Sequence, residues 1–147
     1  MVDAGIRQWR PGEVDRSEIA AQVAAGEWHV LAVDGELVGA LRLLWADVGV
    51  WGERPDDAGY VHGLVVDRAH GGRRIGAGLL SWADAQVAGV GRALLRLDCV
   101  ETNARLRRYY RHERFREVGR RDFDGGWDPV VLLEREVAAG SVRASTG

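Results

Sequence analysis

The chain contains no lysine and only one cysteine, and each shortage excludes a class of site. Nucleotide-triphosphate loops need the lysine of G-x-x-x-x-G-K-[ST], so none is present. A lone cysteine, Cys99, forms no internal disulfide and suits a reducing cytoplasm, where we expect the protein. No apolar run approaches the roughly 18 residues of a membrane span. No signal peptide opens the sequence, so no membrane association is expected.

The charge balance excludes another class of partner. Twenty basic residues face 22 acidic ones, giving a net charge of -2, so no general attraction to nucleic acid is expected. At 147 residues, the length fits one domain, which we place at 1–137. Residues 138–147 are small and polar and are expected to form a flexible tail. No metal site is expected.

The apolar periodicity predicts a mixed α/β fold. A central sheet of about seven strands carries helices on its faces, and residues 47–58 are expected to be a glycine-rich loop. Strands are predicted at 6–10, 28–33, 37–45, 59–66, 94–100, 115–123 and 130–137. Helices are predicted near 15–26 and at 75–87 and 103–113.

Residues 64–80, LVVDRAHGGRRIGAGLL, carry the most informative motif. An apolar strand leads through an arginine- and glycine-rich turn into a helix, whose amino end suits an anionic phosphate. The dinucleotide pattern G-x-G-x-x-G fails because Ser81 replaces its last glycine. The pattern [Q/R]-x-x-G-x-[G/A] fits from Arg73 to Gly78. A glycine-rich connection without a ligand is the alternative.

A second block, residues 103–115, reads NARLRRYYRHERF. Together the two blocks resemble the GCN5-related N-acetyltransferases, whose second motif is N-x-x-L-x-x-[FY]-Y-x-x-x-G-F. Arg114 stands at the usual glycine, which implies either backbone strain or a differently shaped turn. The resemblance implies the acyl-CoA N-acyltransferase fold with splayed fourth and fifth strands. It also implies acetyl transfer from acetyl-CoA to an amine.

The resemblance also implies roles for individual residues. Backbone groups of Leu64, Val65 and Val66 would pair with the pantetheine arm, and Asn103 would hydrogen-bond it. Tyr110 would protonate the leaving thiolate, while Tyr109 packs inward; the alternative is that both are core aromatics. The pyrophosphate would be bound by the motif residues Arg73, Arg74, Ile75, Gly76, Ala77 and Gly78.

The acceptor amine needs a proton acceptor. With a pKa near 10.4, only about one amine in 2,500 is neutral at pH 7, a deficit of about 4.6 kcal/mol. His62, expected on the same strand face as Tyr60 and Leu64, is the candidate base. The segment VHGLVV resembles the H-x-L-A-V stretch of arylalkylamine N-acetyltransferases. A packed strand-end histidine is the alternative, and Glu53 is a weaker candidate.

The acceptor itself is less determined. Trp28, Trp45 and Trp51 could form an aromatic acceptor pocket, or they could be core residues, Trp28 above all. Tyr60 and Glu53 are also candidates to contact the acceptor. A single helix is expected between the first two strands where the family usually has two, so an open pocket or a homodimer is possible. We expect a small-molecule amine acceptor. Transfer to a protein N-terminus or lysine, and a non-catalytic CoA-binding module, are the alternatives. The arginines at 105–116 could bind the 3′-phosphate or form a salt-bridged helix face.

Overall fold

A computed structural model describes residues 26–33, 35–67 and 74–137. Within these ranges no helix is long and apolar enough to cross a membrane. The predicted strand at 6–10, nearly all of the predicted helix near 15–26 and the tail at 138–147 lie outside the described residues. The elements are β1 (Trp28–Val33), β2 (Glu36–Leu44), α1 (Val48–Trp51), β3 (Ala58–Val66), α2 (Ile75–Gly89), β4 (Leu94–Val100), α3 (Ala104–His112), β5 (Arg116–Arg121) and β6 (Val130–Glu136).

The described strands form one six-stranded mixed sheet in the order β1-β2-β3-β4-β6-β5. Only β3 and β4 pair in parallel, and the other neighbours are antiparallel. The predicted mixed α/β architecture is therefore confirmed. The described part holds six strands where about seven were expected over the whole chain.

The main core lies under α2 and α3, on one face of the sheet. Helix α2 contributes Leu79, Leu80 and Val87 to this core, and it contacts β2, β3 and β4. Its close approach depends on Gly59 of β3, where an added Cβ would lie 2.5 Å from Val87 Cγ2. Any larger residue at that position would push the helix away from the sheet.

A buried ion pair joins three elements at the edge of this core. Arg135 of β6 donates to both carboxylate oxygens of Asp84 on α2, at 3.2 and 2.8 Å. The same guanidinium donates to the Glu113 carbonyl at the end of α3, at 2.7 Å, and lies 4.6 Å from the Phe115 ring centre. A bidentate arginine is rigid in this geometry, so the pair fixes α2 and the end of α3 relative to the sheet.

The opposite face of the sheet carries a smaller apolar cluster that includes Trp51, Tyr60 and Leu132. Here the expectation of a loop over 47–58 is wrong in one part, because residues 48–51 form the short helix α1. Trp51 at the end of α1 is only 4% exposed and contacts Tyr60 edge-on. Burial of the Trp51 indole stabilises the helical turn of α1, which the apolar periodicity of the sequence did not predict.

Strands β3 and β4 pair over a short junction and then separate. We call the place where they separate the fork. They pair only from Ala58–Tyr60 to Leu94–Arg96, while β6 follows β4 along its whole length. Beyond Tyr60, β3 therefore has no ladder to β4 among the described residues. Strands β3 and β4 correspond to the predicted fourth and fifth strands, so the predicted splay is confirmed.

Candidate active site

A β-bulge in β3 lies where the fork opens. Arg42 of β2 pairs with Gly63, and the next residue, Leu43, pairs with Val61, so His62 is the extra residue. A bulge shifts the alternation of side chains along a strand. It explains why Tyr60 belongs to the smaller cluster while Leu64 belongs to the main core. The expectation that Tyr60, His62 and Leu64 share one face is therefore wrong.

His62 lies in a cluster of three titratable side chains that the sequence did not reveal, the carboxylate–histidine cluster. It consists of Asp47, His62 and Asp98, with one nitrogen or oxygen of each within 4.8 Å of the others. His62 Nε2 lies 3.5 Å from Asp47 Oδ2. Asp47 occupies the N-cap position of α1 without capping it, so its carboxylate is directed elsewhere.

Asp98 is buried, with 5% of its surface exposed. Its neighbours on β4, Leu97 and Cys99, belong to the main core under α2, so Asp98 lies on the opposite face, together with Arg96. The one sequence signal for this site was a pair of charged residues, Arg96 and Asp98, inside an otherwise apolar strand. The cluster thus lies at the fork, on the face away from α2.

The amino end of α2 presents backbone donors. The first helical hydrogen bond runs from the Gly78 amide to the Arg74 carbonyl, at 3.0 Å. The amides of Ile75, Gly76 and Ala77 precede it and have no acceptor within the helix. Arg74 is the N-cap residue in a left-handed conformation, with φ 55°, and its side chain is 73% exposed. Its Nη2 lies 3.5 Å from Glu113 Oε2, and Arg73 lies outside the described residues.

Two glycines of the motif have different surroundings. A Cβ on Gly76 would lie 2.8 Å from the Tyr109 hydroxyl oxygen, so this glycine allows α3 to pack against α2. A Cβ on Gly78 would meet nothing within 4 Å, so packing against the described residues does not require a glycine at this position. Burial raises the pKa of Tyr109, so its hydroxyl stays protonated beside the helix end.

The two tyrosines of α3 both pack against the main core, at different depths. Tyr110 is 2% exposed, and its ring packs edge-on against Tyr109 and Phe115, at 5.4 and 5.6 Å between ring centres. Tyr109 is half-buried and packs against the core from nearer the surface, so it does pack inward as expected.

Asn103 begins α3 as its N-cap, accepting a hydrogen bond from the Leu106 amide at 3.0 Å. Its side-chain NH₂ remains a donor for a ligand. Along the open side of the fork, the side chains of Leu64 and Val66 are buried in the main core, and Val65 packs partly against it. The backbone of this segment has no partner on β4 among the described residues, so it can accept an extended ligand as an added strand. These features fit the pantetheine arm of acetyl-CoA.

The residues expected to line the acceptor pocket do not all lie together. Trp51 and Tyr60 are buried, and the Arg96 guanidinium lies 5.0 Å from the Trp51 ring centre and donates to the Tyr60 hydroxyl at 2.9 Å. These contacts match the core alternative rather than an open aromatic pocket. Trp28 is half-buried opposite Arg42, in the same row of the sheet as Gly63, and Glu53 is exposed.

Two of the four arginines of α3 form salt bridges. Arg107 donates to both carboxylate oxygens of Glu117 at 2.8 Å, and Arg111 donates to one of them at 2.9 Å. The Glu117 pKa is lowered mainly by the hydrogen bond from Arg107. For these two arginines the structure matches the salt-bridged alternative, while Arg105 and Arg108 are exposed.

Comparison with known proteins identifies the family. A model described as the acetyltransferase (GNAT) family matches residues 3–114. The chain belongs to the GNAT acetyltransferase family. An uncharacterized N-acetyltransferase of Bacillus subtilis (strain 168), YesJ, is 30% identical over 145 residues, covering 93% of this chain and 77% of the relative. This GNAT protein is therefore an N-acetyltransferase that uses acetyl-CoA.

Solved structures share the fold of this GNAT protein. A GNAT acetyltransferase of Listeria monocytogenes 4b F2365 has a TM-score of 0.70 at 24% identity, covering 86% of this chain and 73% of the other. An aminoglycoside 6′-N-acetyltransferase complexed with coenzyme A has a TM-score of 0.66 at 18% identity, covering 86% and 83%. At these identities the likeness concerns architecture alone.

Proposed function

We propose that this GNAT acetyltransferase transfers an acetyl group to the primary amine of a small molecule, by direct attack within a ternary complex. The observation that carries the proposal is the fork. It leaves the edge of Leu64–Val66 open beside the amino end of α2, and it has the carboxylate–histidine cluster on the other face. Donor and acceptor can therefore approach the same point from opposite sides of the sheet. A cytoplasmic location is part of the proposal, in keeping with the single, buried Cys99.

In this proposal the donor is bound by backbone and charge. The amides of Ile75, Gly76 and Ala77 donate to the diphosphate, and the exposed guanidinium of Arg74 adds a charge-assisted contact. The open space at Gly78 lets the diphosphate approach the helix closely. An amide of the Leu64–Val66 edge polarises the thioester carbonyl and stabilises the oxyanion that forms during attack.

Three proton transfers complete the reaction. His62 accepts a proton from the ammonium of the acceptor, and the neutral amine attacks the thioester carbon. The carbon–sulfur bond then breaks, and Tyr110 donates its hydroxyl proton to the leaving thiolate. The new amide nitrogen releases its surplus proton, which restores the Tyr110 hydroxyl. The Tyr110 ring is buried, and we propose that its hydroxyl reaches the sulfur through the gap of the fork.

The acceptor is proposed to be small by analogy with a protein of the same fold. That protein is an aminoglycoside 6′-N-acetyltransferase, and we extend its class of acceptor, an amine-bearing small molecule, to this chain as a proposal. Purified protein with acetyl-CoA is assayed against panels of small amines, peptides and aminoglycosides, with release of free CoA as the signal. Turnover of small amines is expected, whereas turnover of peptides alone would contradict the proposed acceptor.

The donor site is tested with Gly78→Asp. An Asp in the first turn of α2 has room and favours helix formation, yet its charge repels a diphosphate. We expect acetyl-CoA affinity to fall about a hundredfold, measured by calorimetry, while thermal stability is kept. Gly89→Asp, at the other end of the same helix and equally unobstructed, is the matched control and should bind normally. Equal acetyl-CoA affinities for Gly78→Asp and Gly89→Asp would show that the diphosphate does not bind at this helix end.

A further inference from the structure

The carboxylate–histidine cluster has a charge suited to one kind of ligand. Asp47, His62 and Asp98 come from three separate elements, the start of α1, the bulge of β3 and the middle of β4. With a neutral imidazole, two carboxylates give the cluster a formal charge of -2. Such a cluster favours a cation over a neutral or anionic ligand.

Arg96 lies on this face but is paired with other groups. Two residues before Asp98 on β4, it donates to Glu134 Oε1 at 2.9 Å and to the Tyr60 hydroxyl at 2.9 Å. Asp57 lies 3.5 Å from the same guanidinium. Glu134 and Asp57 therefore balance the charge of Arg96.

Burial strengthens the attraction for a cation. Asp98 is 5% exposed, so little water screens its carboxylate. Asp47 lies on the other side of the imidazole, with its Oδ2 3.5 Å from His62 Nε2. A single ammonium group, with three donors, can reach two carboxylate oxygens and the imidazole within a cluster of this size.

We propose that Asp98, together with Asp47, binds the ammonium of the acceptor beside His62, an inference that rests on the proposed function. Two ammonium N–H groups donate to the carboxylates, and the third proton passes to His62, leaving its electron pair on nitrogen. That pair forms the N–C bond as the C–S bond breaks, and one of the two remaining protons then leaves the nitrogen to restore the Tyr110 hydroxyl, which has protonated the thiolate. Acceptors are therefore alkylamines, which are cations at neutral pH, and alcohols of the same shape are rejected.

The test compares a cation with its neutral analogue. Protein loaded with CoA is titrated by calorimetry with phenethylamine and with 2-phenylethanol, in EDTA so that no divalent metal occupies the same side chains. We expect the amine to bind about tenfold or more tightly than the alcohol. Asparagine has nearly the same shape as aspartate. Asp98→Asn should therefore abolish the preference for the amine over the alcohol, without changing the affinity for the alcohol or for CoA.

Asp56→Asn is the control, since it removes one carboxylate from an exposed position in the loop after α1. It should retain the full preference for the amine. If Asp98→Asn fails to bind CoA, Asp47→Asn replaces it. A wild-type protein that binds both probes equally or binds neither, or an asparagine variant that keeps the preference, overturns the inference. Failure of the proposed function is distinct, because it appears as absent acetyl transfer to every amine in the panel.

Discussion

Arg114 offers a test of backbone strain. Its φ is 71°, in the left-handed region that favours glycine, and it directly follows Glu113, the C-cap residue of α3. The Arg114 amide bonds to the Arg111 carbonyl at 3.0 Å, and the Phe115 amide bonds to the Tyr110 carbonyl at 2.9 Å. With the contact between the Tyr110 and Phe115 rings, this is a complete Schellman motif. Of the two alternatives at this position, the usual turn with strain is the one observed.

The expected stabilisation follows from two opposing terms. A left-handed conformation costs a residue with a Cβ about 1–2 kcal/mol, and glycine removes that cost. Glycine also gains freedom in the unfolded chain, which offsets about 0.4–1 kcal/mol. Replacing Arg114 by glycine should therefore stabilise the protein by about 0.5–1 kcal/mol relative to alanine. For a chain of this size, that corresponds to about 1–4 °C in melting temperature.

Alanine is the baseline because the arginine side chain has an effect of its own. Burial raises the pKa of Asp84, and the charge of Arg114 opposes this rise, though less strongly than Arg135 does. Arg114→Ala removes this charge and keeps the strain, while Arg114→Gly removes both. Arg114→Asn should fall between them, since asparagine tolerates this conformation. Urea denaturation gives the three free energies of unfolding, and a glycine variant no more stable than alanine would refute the strain.

Three further predictions concern chemistry and charge. Tyr110→Phe should lower kcat about a hundredfold with acetyl-CoA affinity nearly kept, and an unchanged kcat would end the assignment of Tyr110 as acid. His62→Ala should lose rate at neutral pH and recover it at high pH, where more amine is neutral; a constant ratio to wild type across the pH range rejects His62 as base. Because Arg107 depresses the Glu117 pKa below its ordinary 4.5, Glu117→Gln should cost about 0.5 kcal/mol at neutral pH. That cost should vanish as acid protonates Glu117, so a difference that persists in acid contradicts the ion pair.

The strands and long helices could be predicted because their apolar residues repeat with the period of the element that they form. The predicted strand at 28–33 matches β1, and the predicted helix at 75–87 matches α2 to within two residues. The glycine- and arginine-rich motif likewise predicted where a helix begins. These signals are local, so they can be read from neighbouring residues in the sequence.

The features that were missed depend on distant contacts. Helix α1 exists because Trp51 packs against Tyr60 and Arg96, and the bulge at His62 is defined only by the register of β3 against β2. Asp47 and Asp98 are far apart in the chain and meet only when the sheet forms. No local pattern contains such pairings, which explains why the sequence drew attention to His62 but not to its carboxylate neighbours.

The short junction of β3 and β4 has a consequence for how wide the cleft can be. Three residue pairs join the two halves of the sheet, and α2 contacts strands on both sides of the gap. The width of the gap should therefore depend on apolar side chains such as Leu80 and Val87, on the side of the sheet away from the carboxylate–histidine cluster. Substitutions that shorten these apolar side chains should alter the size of substrate that is accepted, although they change no group that lines the gap between β3 and β4.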